Sequence, residues 1–92
     1  GLILKFTKKN NDLVIVEFAG EVILTATGLM MGGTWVAGPY CPSVTQSLVG
    51  HLAGSGDSFH VDINPDGSII WWGPYVGHNP VTPRGNASYF IK

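Results

Sequence analysis

The sequence predicts an all-β domain, built either as a sandwich or as a closed Greek-key barrel. Short apolar stretches rich in β-branched and aromatic residues recur along the chain, and clusters of Gly, Pro, Asn and Asp separate them. The 13 glycines and six prolines are well above average usage for a chain of this length. No segment repeats its apolar residues at the 3.6-residue spacing of a helix. We therefore expect about six to seven short antiparallel strands.

Three predicted strands lie in the N-terminal part of the chain: Leu2–Thr7, Leu13–Phe18 and Glu21–Thr27. The polar residues 8–12 predict a turn that joins the first two of these strands in a hairpin. Residues 28–42 carry Gly or Pro at six positions and are predicted to form a long loop, which Trp35 would anchor.

Four more predicted strands follow: Ser47–Ala53, Ser58–Ile63, Ser68–Trp72 and Ala87–Ile91. The sequence Asn64-Pro65-Asp66-Gly67 predicts a hairpin turn, with either Pro65 at the first central position or Asp66 and Gly67 as the central pair. Residues 73–85 are again rich in Gly and Pro and are predicted to be a loop.

Strict alternation of apolar and polar residues marks the segment Ser58–Ile63. Side chains on a strand point alternately to its two faces, so the segment divides into two sets. The set expected to face the core is Phe59, Val61 and Ile63, and the opposite set is Ser58, His60 and Asp62. The strand that returns after the turn carries Trp71 and Trp72, which must also point to opposite faces.

Composition and charge exclude several classes of protein. Charged residues make up 12% of the chain, against a typical fraction of about 25%, and the net charge is −1. No basic field is available for phosphate backbones, which argues against nucleic-acid binding. No apolar run is longer than four residues, as in Leu13–Val16, which is far shorter than the ~20 residues of a membrane-spanning helix. We expect residues 1–92 to be one domain, cut from the C-terminal part of a longer protein, because a strand pattern begins directly after Gly1 and no signal peptide precedes it.

Nucleophilic or acid–base catalysis finds weak support in the sequence. The single cysteine, Cys41, cannot form an internal disulfide, and no motif of a hydrolase surrounds it, so a buried structural role is the simpler interpretation. A glycosidase needs two carboxyl groups across a cleft. Three aspartates of the C-terminal half are candidates, Asp57, Asp62 and Asp66, but Asp57 and Asp66 lie in predicted turns.

A metal site would rest on His60 and Asp62, which lie two residues apart on one strand face. His51 or His78 would have to supply a third ligand. Because protein metal sites use three or four ligands, this pattern is too sparse, and we expect no metal and no other cofactor.

The polar face that carries His60 and Asp62 suits saccharide binding better than catalysis or metal binding. Recognition of a sugar needs an aromatic platform for the apolar side of the ring and a few convergent polar groups for its hydroxyls. His60 and Asp62 could supply the polar groups, and Trp71 or Trp72 the platform. Arg84, the only arginine, is expected in a loop between Pro83 and Gly85. The same residues are also compatible with an ordinary polar outer face of a half-buried sheet.

Five short motifs occur in order between Tyr40 and Gly85: Tyr40-Cys41-Pro42, Ser47-Leu48-Val49-Gly50-His51, Phe59-His60-Val61-Asp62-Ile63, Trp71-Trp72-Gly73-Pro74 and Thr82-Pro83-Arg84-Gly85. In this order and spacing the chain resembles the head domain of lactococcal siphophage receptor-binding proteins, over nearly its whole length. The resemblance implies a Greek-key β-barrel that forms a homotrimer at the tip of the phage baseplate. It also implies binding to saccharides of the host cell envelope, including glycerol-like and phosphate-bearing units.

The resemblance assigns roles to individual residues. It implies a saccharide site lined by His60, Asp62, Trp71 and Arg84. Trp72 is the rival of Trp71, because a register shift of one residue exchanges the two faces of a strand. His51 and His78 are further candidates at the rim of the site, where His78 would shape specificity.

The prediction is thus a non-enzymatic, trimeric adhesin of the virion. Its partners would be a host cell-wall polysaccharide, two further copies of the chain and baseplate proteins that contact the missing N-terminal part. It would act outside the cell at the phage tail tip, without membrane insertion. Two alternatives stay open. One is a structural trimerisation domain without ligand, and the other is a polysaccharide depolymerase using Asp57 and Asp62.

Overall fold

The computed structural model describes residues 1–10, 12–23, 28–30, 36, 38–74 and 79–91. The described strands are β1 (Leu2–Lys9), β2 (Leu13–Gly20), β3 (Leu29–Met30), β4 (Gln46–Leu52), β5 (Ser58–Ile63), β6 (Ile69–Trp71) and β7 (Pro83–Phe90). A single turn of 3-10 helix, Gly38–Tyr40, is the helical part of these ranges. The prediction of an all-β chain with short antiparallel strands is confirmed. No helix within these ranges has the length and apolar character needed to cross a membrane.

All seven strands belong to one sheet with the order β1-β2-β7-β4-β5-β6-β3, and every neighbouring pair is antiparallel. The sheet curls as a half-barrel, with β1 and β3 at its two edges. Strand β7 holds its two halves together, since residues 85–90 pair with β2 and residues 83–84 pair with β4.

The inner face of the curled sheet buries one apolar core. Its described members come from β1, β2, β4, β5, β6 and β7 and from the segments beside them: Leu2, Val14, Val16, Phe18, Val22, Val36, Leu48, Leu52, Phe59, Val61, Ile63, Ile69, Trp71 and Tyr89. At the centre the Phe59 ring stacks on Trp71, with centroids 5.0 Å apart, and meets Phe18 edge-on at 5.0 Å. Such aromatic pairs stabilise a fold beyond the apolar area that they bury.

The turn between β5 and β6 sets the register of the most informative hairpin. The Gly67 N–H donates to the Asn64 carbonyl at 2.8 Å, and the Asn64 N–H donates to the Ser68 carbonyl at 3.0 Å. Pro65 and Asp66 therefore occupy the central positions, and Gly67, with a φ of 89°, forms the bulge that follows. The first of the two predicted turn geometries is thus confirmed.

A carboxylate holds this turn closed. Asp66 Oδ1 accepts hydrogen bonds from the Ser68 N–H at 2.9 Å and from Ser68 Oγ at 2.7 Å. These bonds stabilise the charged form and lower the pKa of Asp66 below its usual value. With the loop length fixed, Trp71 lies opposite Val61 in the β5–β6 ladder.

Strand boundaries differ from the predictions in the N-terminal half. The predicted strand Glu21–Thr27 is wrong for its described part, because β2 ends at Gly20, where a φ of 82° turns the chain. Beyond this point Val22 forms an isolated bridge with Val81, and the two residues exchange N–H···O bonds of 2.9 Å. Residues 24–27 lie outside the described residues.

The two predicted loops also contain sheet structure. Within 28–42, β3 pairs with β6, whereas the predicted anchor Trp35 lies outside the described residues. Within 73–85, β7 begins already at Pro83. Arg84 is therefore a strand residue, and its predicted placement in a loop is wrong, because pairing with β4 extends the strand across the Pro and Gly that surround it.

Candidate functional site

The outer face of β4 and β5 gathers most of the polar residues that the sequence singled out. Cross-strand neighbours in an antiparallel ladder project to the same side of the sheet. The register places Ser47 opposite Asp62, Val49 opposite His60, and His51 opposite Ser58. Trp72 joins the same face directly after β6, where its N–H donates to the His60 carbonyl at 2.9 Å. We call this surface the His60 face; its members are Ser47, Val49, His51, Ser58, His60, Asp62 and Trp72.

Asp62 lies at the centre of a short hydrogen-bonded chain across three strands. Trp72 Nε1 donates to Asp62 Oδ2 at 2.8 Å, and Ser47 Oγ donates to Asp62 Oδ1. Each carboxylate oxygen thus accepts one bond from the protein and keeps further acceptor capacity for another donor. The arrangement fixes the carboxylate and the indole relative to the backbone of β4 and β5.

The Trp72 ring forms an exposed aromatic surface beside this chain. Its side chain is 41% exposed, and its ring lies nearly parallel to the His60 imidazole, with an interplanar angle of 13° and centroids 6.1 Å apart. Gly28 packs against the same ring, since a Cβ at Gly28 would lie 3.3 Å from it. Because Gly28 has no side chain, there is room for the indole beside it. The indole contacts Gly28 along one edge and is exposed to solvent elsewhere.

Trp71 lies on the opposite face of the sheet, in the core. Its side chain is 0% exposed, it stacks on Phe59, and its Nε1 donates to the Pro74 carbonyl at 3.4 Å. The preference for Trp71 as the ring that meets a ligand is therefore wrong. The β5–β6 register turns Trp71 into the core, and Trp72, the predicted rival, is the tryptophan on the His60 side.

Arg84 belongs to the same side of the sheet but stands apart from Asp62. It pairs with His51 across β4 and β7, and its Nη1 donates to the carbonyls of Gly20 at 2.9 Å and Pro83 at 2.7 Å. Two strand spacings and an offset of two residues separate the backbones of Arg84 and His60 by roughly 12 Å. A ligand that contacts both residues must extend across β4.

His51, the residue predicted at the rim, is exposed and lies between Arg84 and Ser58. His78 lies outside the described residues. Two members of the His60 face were not predicted, Ser47 and Val49, of which Val49 is 62% exposed. The contact of Gly28 with the Trp72 ring was not predicted either. Alternation along β4 places Ser47, Val49 and His51 on one side, but only the β4–β5 register shows that this side adjoins His60.

The carboxylate pair required by a depolymerase does not form between Asp57 and Asp62. Five residues of extended chain separate the two by about 16 Å, against carboxyl separations of about 5–10 Å in glycoside hydrolases. In the described part of the chain, no three His, Cys, Asp or Glu side chains converge on a point where a metal ion could bind.

Comparisons with known proteins agree with the motif pattern. The family model described as the lactophage receptor-binding protein C-terminal head domain matches residues 1–92. The receptor binding protein of Lactococcus phage SK1 is 60% identical to this chain over 92 residues, which is 100% of the chain. The chain spans 35% of the length of that relative.

Proposed function

The chain belongs to the family of lactophage receptor-binding protein C-terminal head domains, and on that basis we propose that it attaches a phage to a saccharide of the host cell envelope. The proposed ligand is a cell-wall polysaccharide with glycerol-like or phosphate-bearing units, and the proposed binding surface is the His60 face together with Arg84. The head of a lactococcal phage receptor-binding protein is a part of the virion.

One observation carries the proposal: the exposed indole of Trp72 is held in place by Asp62 and flanked by His60. A fixed aromatic surface offers an apolar platform for the C–H side of a sugar ring or a glycerol unit. The adjacent carboxylate and imidazole offer an acceptor and a donor or acceptor for hydroxyl groups. A site for a small molecule is expected to combine one apolar surface with a few polar groups around it.

Arg84 supplies the positive charge of the proposed site. Two backbone carbonyls fix its Nη1, and within the described residues these are the only hydrogen bonds that its guanidinium makes. Its remaining N–H groups can donate to a phosphate or a hydroxyl by charge-assisted hydrogen bonds. We propose that a ligand extends from Trp72 across β4 to Arg84, with His51 at its rim.

The resemblance adds an assembly to this proposal. We propose a homotrimer of heads that are closed Greek-key barrels, joined through the rest of the protein to the baseplate at the tail tip. Exposed apolar side chains on the outer surface, such as Ile3 and Phe90, are compatible with burial against other chains. A weak single site would then gain strength from multivalent attachment.

Calorimetric titration tests this function most simply. The probes are glycerol 1-phosphate, glycerol and a fragment of lactococcal cell-wall polysaccharide, added to the protein after its oligomeric state has been measured. We expect saturable binding and no loss of polysaccharide chain length on long incubation. A trimer that binds none of the probes would favour the structural trimerisation domain, and shortened polysaccharide would favour a depolymerase.

A further inference from the structure

Ser47 is a described polar neighbour of the Trp72 site to which neither the motif pattern nor the proposed function assigns an individual role. It lies on β4, directly opposite Asp62 on β5, and its hydroxyl donates to Asp62 Oδ1. The other oxygen of the same carboxylate accepts the bond from Trp72 Nε1 at 2.8 Å. One carboxylate therefore joins a hydroxyl on β4 to an indole that follows β6.

We propose that Ser47 is a positioning residue: through Asp62 it fixes the plane of the Trp72 indole and so preforms the binding surface. The inference rests on the proposed function, because it concerns the affinity of that same site. Ser47 itself needs no contact with the ligand.

The geometry gives the physical reason. Trp72 and Ser47 are both exposed, so packing alone does not fix either side chain. A carboxylate held at only one oxygen can rotate about its side-chain bonds, and the indole bonded to it can follow. The bond from Ser47 ties the second oxygen to the backbone of β4, which is paired to β5 through six successive residues. Because a preordered side chain loses less freedom when a ligand binds, the bond raises affinity without adding a ligand contact.

The test compares Ser47→Ala with Ser47→Thr, which keeps a hydroxyl and suits a strand. Ser88→Ala is the matched control, because Ser88 is an exposed strand serine on β7, opposite Ile15 and away from the His60 face. The first readout is the NMR signal of the Trp72 indole N–H, assigned by its loss in Trp72→Phe, with its rate of exchange with solvent. The second is the affinity for glycerol 1-phosphate.

In Ser47→Ala we expect the indole signal to shift, its exchange to accelerate and the affinity to fall about three- to tenfold. Ser47→Thr should restore both readouts, and Ser88→Ala should change neither. A role in stability alone would lower the unfolding temperature and leave the indole signal of the folded protein in place.

Two results would overturn the proposal: an unchanged indole signal in Ser47→Ala, or a changed signal with unchanged affinity. Failure of the proposed function looks different. In that case the wild-type protein binds no probe, while the indole signal still responds to Ser47→Ala.

Discussion

Trp72 Nε1 donates a hydrogen bond of 2.8 Å to Asp62 Oδ2 across the β5–β6 hairpin. The preceding residue, Trp71, is fully buried on the other side of the same hairpin. Two identical side chains in succession thus serve two purposes, since one completes the core and the other forms the exposed aromatic surface of the proposed site. The β5–β6 register separates the two side chains, and Asp62 gives the exposed indole its hydrogen-bond partner.

Core packing at Gly50 gives the first prediction. A Cβ on this residue would lie 2.6 Å from Phe59 Cζ and 2.9 Å from the Arg84 carbonyl oxygen. Gly50→Ala must therefore displace the Phe59 ring or the β4–β7 pairing, and we expect a loss of about 1–3 kcal/mol in the free energy of unfolding. Gly56→Ala, whose new methyl group has no atom of the described residues within 4 Å apart from its chain neighbours, should stay within about 0.5 kcal/mol of the wild type. Equal stabilities of the two variants in urea denaturation would contradict this account of the core.

Alkaline pH provides the second prediction. The buried Tyr89 hydroxyl donates to the Tyr40 carbonyl at 2.5 Å. Burial raises the pKa of Tyr89 to about 12, with smaller electrostatic contributions from the neighbouring Cys41 and Tyr40. The pKa in the unfolded chain is about 10. The protonated form is favoured in the fold, so this stabilisation is complete below pH 10 and is lost as the pH rises toward 12.

Tyr89→Phe removes this titration together with the hydrogen bond to the Tyr40 carbonyl. The variant should be less stable at pH 7 by about 1 kcal/mol, and its stability should fall less steeply than that of the wild type between pH 10 and 12. Denaturation curves measured at intervals from pH 8 to 12 give both quantities. Parallel pH profiles for the two proteins would show that Tyr89 does not carry the alkaline transition.

Arg84 carries the third prediction, which concerns charge. If its guanidinium binds the phosphate, Arg84→Gln should weaken binding of glycerol 1-phosphate by about ten- to a hundredfold and binding of glycerol much less. The control is Lys5→Gln, which removes a positive charge on β1 and should leave both affinities unchanged. Lys5 Nζ lies 4.0 Å from Glu17 Oε1. An equal loss for both ligands in Arg84→Gln would indicate that Arg84 acts by holding the Gly20 carbonyl instead.

The sequence predicted the structure best where the alternation of apolar and polar residues alone determines which side chains share a face. The segment Ser58–Ile63 was predicted with the bounds that the structure shows, and His60 and Asp62 lie on one face as expected. Alternation also required Trp71 and Trp72 to separate. It could not say which of the two faces outward, because each of the two plausible turns at residues 64–67 sets a different register, and a shift of one residue exchanges the faces.

Two other features depend on contacts that no local pattern encodes. Arg84 lies between Pro83 and Gly85, which are typical of loops, yet pairing with β4 and β2 makes this segment a strand. Ser47 is an unremarkable strand serine until the β4–β5 register places it opposite Asp62. Both outcomes are set by partners distant in the chain, and tertiary pairing of this kind overrides local propensity.

The central claim is that the exposed face of Trp72 binds the ligand, and a tryptophan fluorescence titration with glycerol 1-phosphate and cell-wall polysaccharide fragments tests it most directly. The proteins to compare are the wild type, Trp72→Ala and, as a matched control for a tryptophan in the core, Trp71→Phe. We predict a saturable signal in the wild type and in folded Trp71→Phe, and none in Trp72→Ala. A Trp72→Ala variant that titrates like the wild type would contradict the account.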